Sequence, residues 1–365
     1  VKLRATGAGA WQRLRTRLHI DTRSDDAFID DAYKLALGRP ADKSGTAFYG
    51  GMLRSGLARD RVLWLIAMSE ESVNRRLAET FVMQDLRELR PEQYEQAVTT
   101  DGRTVPVFTV RTGDDLDWLE HSILEHGYYE KPGIWTLGVD EDKRRMAEML
   151  ALFRPQRCLE IGCSSGAVVS GLRASGVAAE GIEISSMAIR RADAEVRPFI
   201  HCGDVLSLEL AGTYELVYGL DVFEHFNPNR MDDYLNRVAA LTAPGGFVFA
   251  NVPTWGEDRV YGTIWAPYLP DWIEDVEANR LFRRIEVDEL GYPVLGHLVW
   301  ASSPWWEERF AAAGLHRQTD VEHALHRRFD AELDATPARK AFYVFSRDAD
   351  TSRVRDVIKA CDGSG

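Results

Sequence analysis

Apolar residues return at three- and four-residue steps from Asp25 to about Arg90, among them Phe28, Ala32, Leu35, Val62, Leu65, Ile66 and Phe81. That period predicts helices, with turns expected at Gly38, Pro40 and the Gly50-Gly51 pair. Pro91 to about Asp140 reads as a connector holding a Val-rich strand, Thr104 to Val110, and an aromatic segment, His126 to Trp135. From Asp140 the pattern alternates. A helix at Glu141 to Phe153 leads into strands at Cys158 to Ile161, up to Ile184, at Phe199 to Cys202, at Leu216 to Leu220 and at Phe247 to Asn251, with helices between them. The order predicts an α/β fold, a doubly wound sheet with helices on both faces and ligands at the carboxyl ends of its strands, preceded by a small all-α domain. The expected divisions are a basic leader at 1–24, a helical accessory domain at 25–90, a connector and lid at 91–140, the α/β domain at 141–350 with an aromatic-rich insertion at 254–304, and a tail at 351–365.

A length of 365 residues excludes a single small module. With 44 basic and 57 acidic residues the net charge is −13, which disfavours nucleic acid as a partner. The start of the chain is the exception: Lys2, Arg4, Arg13, Arg15 and Arg17 precede Asp21, with Trp11, Leu14 and Leu18 on one helical face. That stripe is only about two turns long, so a loosely ordered leader is expected rather than a membrane-surface helix. Charge interrupts the apolar residues there, so no secretory apolar region is read. The longest apolar run, Val62 to Met68, falls far short of the roughly 20 residues that span a bilayer. Cys158, Cys163, Cys202 and Cys361 show neither C-x-x-C spacing nor a disulfide framework. A cytoplasmic protein without stable membrane insertion is expected.

The chemistry begins at the first α/β turn, Cys158-Leu159-Glu160-Ile161-Gly162-Cys163-Ser164-Ser165-Gly166. Glycines there let backbone approach a ligand closely, but Ser164 and Ala167 stand where a nicotinamide-dinucleotide fingerprint has glycine. Successive strand ends then read Gly181-Ile182-Glu183-Ile184-Ser185, Cys202-Gly203-Asp204-Val205, Asp221 and Pro244-Gly245-Gly246. Glu183 is placed to accept the hydroxyls of a ribose and Asp204 to accept from an adenine amino group, an adenosine pocket without a pyrophosphate cradle. For Asp204 a loop cap is the competing reading.

These segments, with YELVYGLDVFEHF and LTAPGGFVFANVP, resemble the ordered motifs of class I S-adenosylmethionine-dependent methyltransferases over roughly Glu141 to Asn251, whose fold is Rossmann-like. The resemblance implies S-adenosylmethionine as cofactor, held by Glu160, Gly162, Cys163, Ser164, Gly166, Glu183, Ile184, Asp204, Val205 and Asp221, with Tyr129 in an aromatic lead-in that closes over it. Separately, Tyr33 to Tyr49, YKLALGRPADKSGTAFY, resembles a small bacterial helical domain of unknown function, expected to serve docking or oligomerisation.

Methyl transfer is an in-line displacement governed by alignment, and a hydroxyl acceptor also needs a base or a metal. Asp221, Glu224 and His225 stand at i, i+3 and i+4, which on a helical turn places two carboxylates and an imidazole on one side. This Asp-x-x-Glu-His resembles the Glu-x-x-Glu-His site of metal-assisted O-methyltransferases, with His297 the candidate distant histidine and Mg2+ or Mn2+ the implied ion. Two other readings stand beside it: His225 or His297 as a proton acceptor without metal, and a helix cap formed by Asp221 and Glu224. Thr254 to Pro304, with the next two residues, contains Trp255, Trp265, Trp272, Trp300, Trp305 and Trp306, whose flat faces suit a sugar ring or planar aglycone unless they form a self-packed core. The expected function is O-methylation of a sugar hydroxyl on a bacterial glycan or glycosylated metabolite. The alternatives are a small-molecule O- or N-methyltransferase of phenols or amines and a non-catalytic scaffold.

Overall fold

The structure is a computed structural model that describes residues 24–67, 69, 71–72, 75, 83–131, 141–347 and 351–363. The basic leader through residue 23, Phe81 and Trp135 lie outside the described residues. The chain divides into two compact units, one within residues 1–82 and 131–135 and the other within 83–130 and 136–365.

In the first unit Ser24 caps a helix at Asp25–Leu37, which ends at Gly38 in a left-handed conformation. Further helices follow at Lys43–Arg54 and Arg59–Ala67. Phe28, Ile29, Ala32, Tyr33, Leu37, Val62, Leu63 and Ile66 are their shared core. The Gly50-Gly51 pair is no turn: it lies inside the second helix, where a Cβ on Gly50 would come within 3.8 Å of Ile29. The turn falls at Gly56, φ +94°.

In the second unit β1 (Tyr94–Val98) and β2 (Thr104–Thr109) form a hairpin that pairs with β8 (Arg284–Glu286). The connector and the insertion thus share one antiparallel sheet. The main sheet contains β3 (Arg157–Ile161), β4 (Ala178–Glu183), β5 (Ile200–Cys202), β6 (Tyr214–Leu220), β7 (Thr242–Asn251), β9 (His316–Arg317) and β10 (Phe342–Ser346). Its order is β5-β4-β3-β6-β7-β10-β9. Strands β3 to β7 run parallel, while β10 is antiparallel to β7 and β9.

Alternation along each strand explains the two covered faces. Cys158, Leu216, Tyr218, Phe247, Phe249, Phe342 and Val344 face one core with the helices Glu141–Ala151, Ala167–Ala174 and Thr319–Phe329. Leu159, Val217, Val248, Ala250, Tyr343 and Phe345 face the other, with Met231–Leu241 and Ser303–Ala312. The expected tail is a helix, Thr351–Cys361, whose Val357 and Cys361 join the first core. Its apolar stripe has the helical period, and burial follows from that.

The insertion's tryptophans resolve toward packing. Trp255 stacks on Trp300 with ring centroids 5.4 Å apart, Trp272 lies 4.7 Å from Trp255, and Trp305 and Trp306 are buried with Phe310 beside them. Only Trp265 of the six is half-buried. The helix Ser303–Ala312 follows Ser302 without a side-chain cap, and the Ser303 hydroxyl donates to Asp258. Among the described residues no helix is long and apolar enough to cross a membrane.

Candidate active site

Strand order reverses between β3 and β6, since the chain runs outward through β4 and β5 before returning, and a crevice opens there at the carboxyl ends. The cleft at this point is lined by Lys143, Glu160, Gly162, Ser164, Leu220 and Arg339, among others. Gly162 (φ +70°) and Gly166 (φ +74°) are needed: a Cβ on Gly162 would sit 2.5 Å from Val222 and one on Gly166 2.9 Å from Ile200. Ser164 also adopts a positive φ of 52°, which serine tolerates here because its N–H donates to Glu183 at 2.7 Å. The buried Ser164 hydroxyl has no hydrogen-bond partner within the protein, so the cleft offers a polar atom that a ligand would satisfy.

Glu183 ends β4 and accepts N–H groups from Ser164 and Ser185, each at 2.7 Å, leaving further lone pairs on both oxygens. Burial raises its pKa against the pull of those N–H groups. Ile184, next in the chain, stays 45% exposed, an apolar surface beside the crevice that a planar base would cover. Asp204 is engaged otherwise: one oxygen accepts from Leu206 N–H and the other from Tyr234 O–H, both at 2.8 Å, as the loop-cap reading requires. Val205, beside it, is core. Cys163 is buried, with Gly181 leaving room for its sulfur. Glu160 lies under the cleft, where burial pushes its pKa up to about 8 and Tyr218 O–H donates to it at 3.2 Å.

The segment after β6 departs from the expected helical face. Asp221 has φ +52° and its carboxylate pairs with Arg339, which also donates to Asp142 at 2.6 Å and to Asn251 at 2.7 Å. The i, i+3, i+4 argument fails for Asp221 because the helical turn is only Phe223–His225 and starts after it. The same geometry removes the cap reading, since no side chain caps that turn. Arg339 was not singled out in the sequence. It sits in a polar turn without periodicity, and only the pairing of β10 with β7 brings it to the cleft.

Glu224, His225 and His297 do come together, with one ligand atom of each within 4.8 Å of the others. Glu224 is 0% exposed and neither carboxylate oxygen has a hydrogen-bond partner within the protein. His297 Nε2 stands 3.6 Å from it. The Glu224 carbonyl accepts N–H groups from Leu298 and Val299, each at 2.9 Å, which ties the histidine segment to the turn. Gly296 (φ +79°) makes this approach possible, because a Cβ there would crowd Tyr128, Tyr129 and His225 at 3.0–3.4 Å. His225 Nδ1 lies 3.2 Å from both the Gly296 carbonyl and the Tyr129 hydroxyl. The Asp221 backbone is a second hydrogen-bond partner of the ring beside the Gly296 carbonyl. Burial pushes the His225 pKa down to about 4 and that of His297 well below its usual value, while burial and the Asp221 charge raise Glu224. At neutral pH the two imidazoles are therefore uncharged proton acceptors.

Tyr129 belongs to a short turn, Tyr128–Glu130, that touches three parts of the site. Tyr128 stacks on Tyr292 at 5.4 Å, Tyr129 meets His225 edge-on, and Glu130 accepts N–H groups from Ser186 and Met187 at 2.6 and 2.9 Å. The loop that carries Glu183 is thereby joined to the turn that carries His225.

A family model described as a methyltransferase domain matches residues 139–329, and one described as a domain of unknown function, DUF4214, matches residues 16–76. Among solved structures the chain is similar to CalS10, an amino pentose methyltransferase from Micromonospora echinaspora with SAM bound, at 17% identity and a TM-score of 0.37, over 62% of this chain and 97% of that one. It is also similar to the 1,6-didemethyltoxoflavin-N1-methyltransferase of Burkholderia thailandensis at 14% identity and a TM-score of 0.40, over 66% and 93% of the two chains. A third is DesVI of Streptomyces venezuelae, at 13% identity and a TM-score of 0.38, over 61% and 96%. No curated protein matches the chain.

Proposed function

Because the chain belongs to the methyltransferase-domain family, as a class I S-adenosylmethionine-dependent methyltransferase, we propose that it methylates oxygen, on a hydroxyl of a sugar-bearing small molecule. The observation that carries this reading is the set of the buried Glu224 with the half-buried His225 and His297, whose turn begins three residues after Leu220 of the cleft. In the reaction the sulfur–methyl bond breaks as the oxygen–methyl bond forms, and the hydroxyl proton must leave. In the ion-free protein the His225 ring, held by the Gly296 carbonyl, is the assigned acceptor for that proton; an ion held by the set would take up the same lone pair. Cofactor binding is assigned to Gly162, Ser164 and Gly166 at the amino-acid end and to Glu183 and Ile184 at the nucleoside, since the unsatisfied Ser164 hydroxyl and the exposed Ile184 fit such a ligand.

Glu224, His225 and His297 are also the residues that would hold a divalent ion, Mg2+ or Mn2+ in the reading from sequence. Such an ion, when bound, makes a hydroxyl proton easier to lose. A small glycosylated molecule is favoured over an extended glycan because the tryptophans that would line a glycan groove are packed on one another. Docking or self-association stays the role assigned to the helical unit.

The test is methyl transfer from S-adenosylmethionine to a panel of nucleotide sugars, glycosylated phenols, simple phenols and amines, with the product located by mass spectrometry. Methylation on a sugar oxygen is expected. Methylation on nitrogen that survives His225→Ala would overturn the oxygen assignment.

Two further results are expected at the cofactor. Glu183→Ala should weaken S-adenosylhomocysteine binding by roughly 10- to 100-fold in calorimetry, the worth of charge-assisted hydrogen bonds lost at one carboxylate. Glu160, with its pKa near 8 in the empty protein, should lose its proton when the positive sulfonium and ammonium of S-adenosylmethionine arrive. The deprotonated form is then the one that binds, so affinity should rise with pH, by up to about tenfold per unit, and level off above about pH 8. A Glu160→Gln variant should show no such slope, and a slope of the same size there would assign it to another group.

A further inference from the structure

We propose that Glu224, His225 and His297 form a three-ligand site of two imidazoles and one carboxylate that selects a first-row transition-metal dication over Mg2+, because Arg339 has withdrawn Asp221 from it. The inference rests on the reading of this set as the acceptor side of an O-methyltransferase and goes beyond it in naming the class of ion and the residue excluded. The sequence pattern alone offers two carboxylates, which suits a hard ion. The tertiary structure leaves one.

Asp221 leaves β6 in a left-handed conformation and its carboxylate is held by Arg339, which Asp142 and Asn251 fix in turn. This places Asp221 with the residues of the cofactor cleft. Glu224 has the opposite surroundings: it is fully buried, neither oxygen is hydrogen-bonded, and the nearest nitrogen partner is His297 Nε2 at 3.6 Å. A buried carboxylate in that state calls for a cation. Donors around one ion with bonds of about 2.1 Å sit roughly 3 to 3.5 Å apart, so a set already within 4.8 Å closes by small side-chain torsions.

One imidazole is also oriented from outside the set. His225 Nδ1 faces the Gly296 carbonyl at 3.2 Å, the kind of outer hydrogen bond that fixes a metal-binding ring. The His297 segment is held at its backbone: Leu298 and Val299 N–H donate to the Glu224 carbonyl, and Trp300 Nε1 donates to the His297 carbonyl at 2.9 Å. Mg2+ asks for oxygen donors nearly throughout, whereas imidazoles with one carboxylate suit Zn2+, Co2+ and their neighbours. Three protein ligands is also the number that keeps a coordination position open.

The experiment uses the full chain, stripped with chelator and titrated with Co2+ by visible absorption, with Zn2+ by competition against a chromophoric chelator, and with Mg2+ by calorimetry. One equivalent of Co2+ with visible ligand-field bands is expected, and Zn2+ binding at least ~100-fold tighter than Mg2+. Glu224→Gln and His297→Ala should each weaken Zn2+ binding by about 10-fold or more, whereas Asp221→Asn should change it by less than about threefold. S-adenosylhomocysteine binding by the Glu224 and His297 variants checks that they are folded. No saturable Co2+ site in the wild type overturns the proposal, as does an Asp221→Asn loss equal to that of Glu224→Gln. Hydroxyl methylation by a protein that binds no Co2+ removes the metal and leaves the oxygen reading standing. A Co2+ site with the expected variant pattern in a protein that methylates only nitrogen supports the metal and removes the oxygen reading.

Discussion

His225→Ala is expected to lower kcat for a hydroxyl acceptor by about 10²- to 10⁴-fold while S-adenosylhomocysteine affinity stays within about threefold of wild type, the pattern of a group acting on the acceptor rather than the cofactor. The residue is suited to this role by burial. Its pKa falls to about 4, so the ring is uncharged at neutral pH and can take a proton, while the Gly296 carbonyl orients it. At saturating S-adenosylmethionine and with chelator present, the wild-type kcat should therefore hold as pH falls from neutral and drop only as the imidazole protonates near pH 4. Kinetics by product mass and binding by calorimetry decide the matter. Equal losses in both would make His225 a structural support for the cofactor loop, acting through Tyr129 and Glu130.

The largest expected loss of stability comes from Arg317→Met. Arg317, Asp258 and Glu322 have side chains only 2%, 1% and 0% exposed. Arg317 donates to Glu322 at 2.8 Å and to Asp258 at 2.9 Å, and Ser303 and Val260 N–H complete the Asp258 shell. Removing the guanidinium strands two buried carboxylates, a change worth about 3–5 kcal/mol in systems of this kind. The network joins the insertion to β9 and to the helix Thr319–Phe329 under β10, so the loss should appear as a lower urea midpoint for the whole second unit. A triple variant, Arg317→Met with Asp258→Asn and Glu322→Gln, should recover most of the loss. In the wild type Arg317 and Ser303 hold Asp258 below the usual carboxylate range, a contribution present above about pH 4 and lost as pH falls through the lowered pKa. The variant lacks that contribution, so its deficit should shrink in acid. A deficit that does not change with pH, or a triple variant no better than the single one, would mean that packing rather than charge is what Arg317 supplies.

The methyltransferase sheet was legible because its signals are local. Each strand carries its own apolar alternation, and the turn at Gly162 and Gly166 carries the positive φ that only small residues accept cheaply. The acid at Glu183 follows its strand directly, so its position at a strand end needs no distant information. His297 could be named only by resemblance, since nothing nearer than Glu224 in space marks it, and Glu224 lies 73 residues earlier in the chain.

The errors share a cause. Period alone cannot tell a helix face from a turn preceded by a left-handed residue, so Asp221 was grouped with Glu224 and His225 although its carboxylate turns away to Arg339. Composition alone left the aromatic-surface and self-packed-core readings of the insertion both open, and its rings pack on one another as the second requires. The same holds for Gly50 and Gly51, which the helix Lys43–Arg54 accommodates without bending the chain.

By itself, then, the amino-acid order determined the helical class of the smaller part and the α/β class of the larger, because backbone conformation and burial pattern are written within a few residues of each element, and its motifs carried the resemblance that implies the cofactor. Tertiary structure alone decided the composition of the reactive set, the partner of Asp221 and the fate of the tryptophans. Those depend on which side chains from distant segments reach the same few ångströms, and on which charges must be paired once water has been excluded from between them.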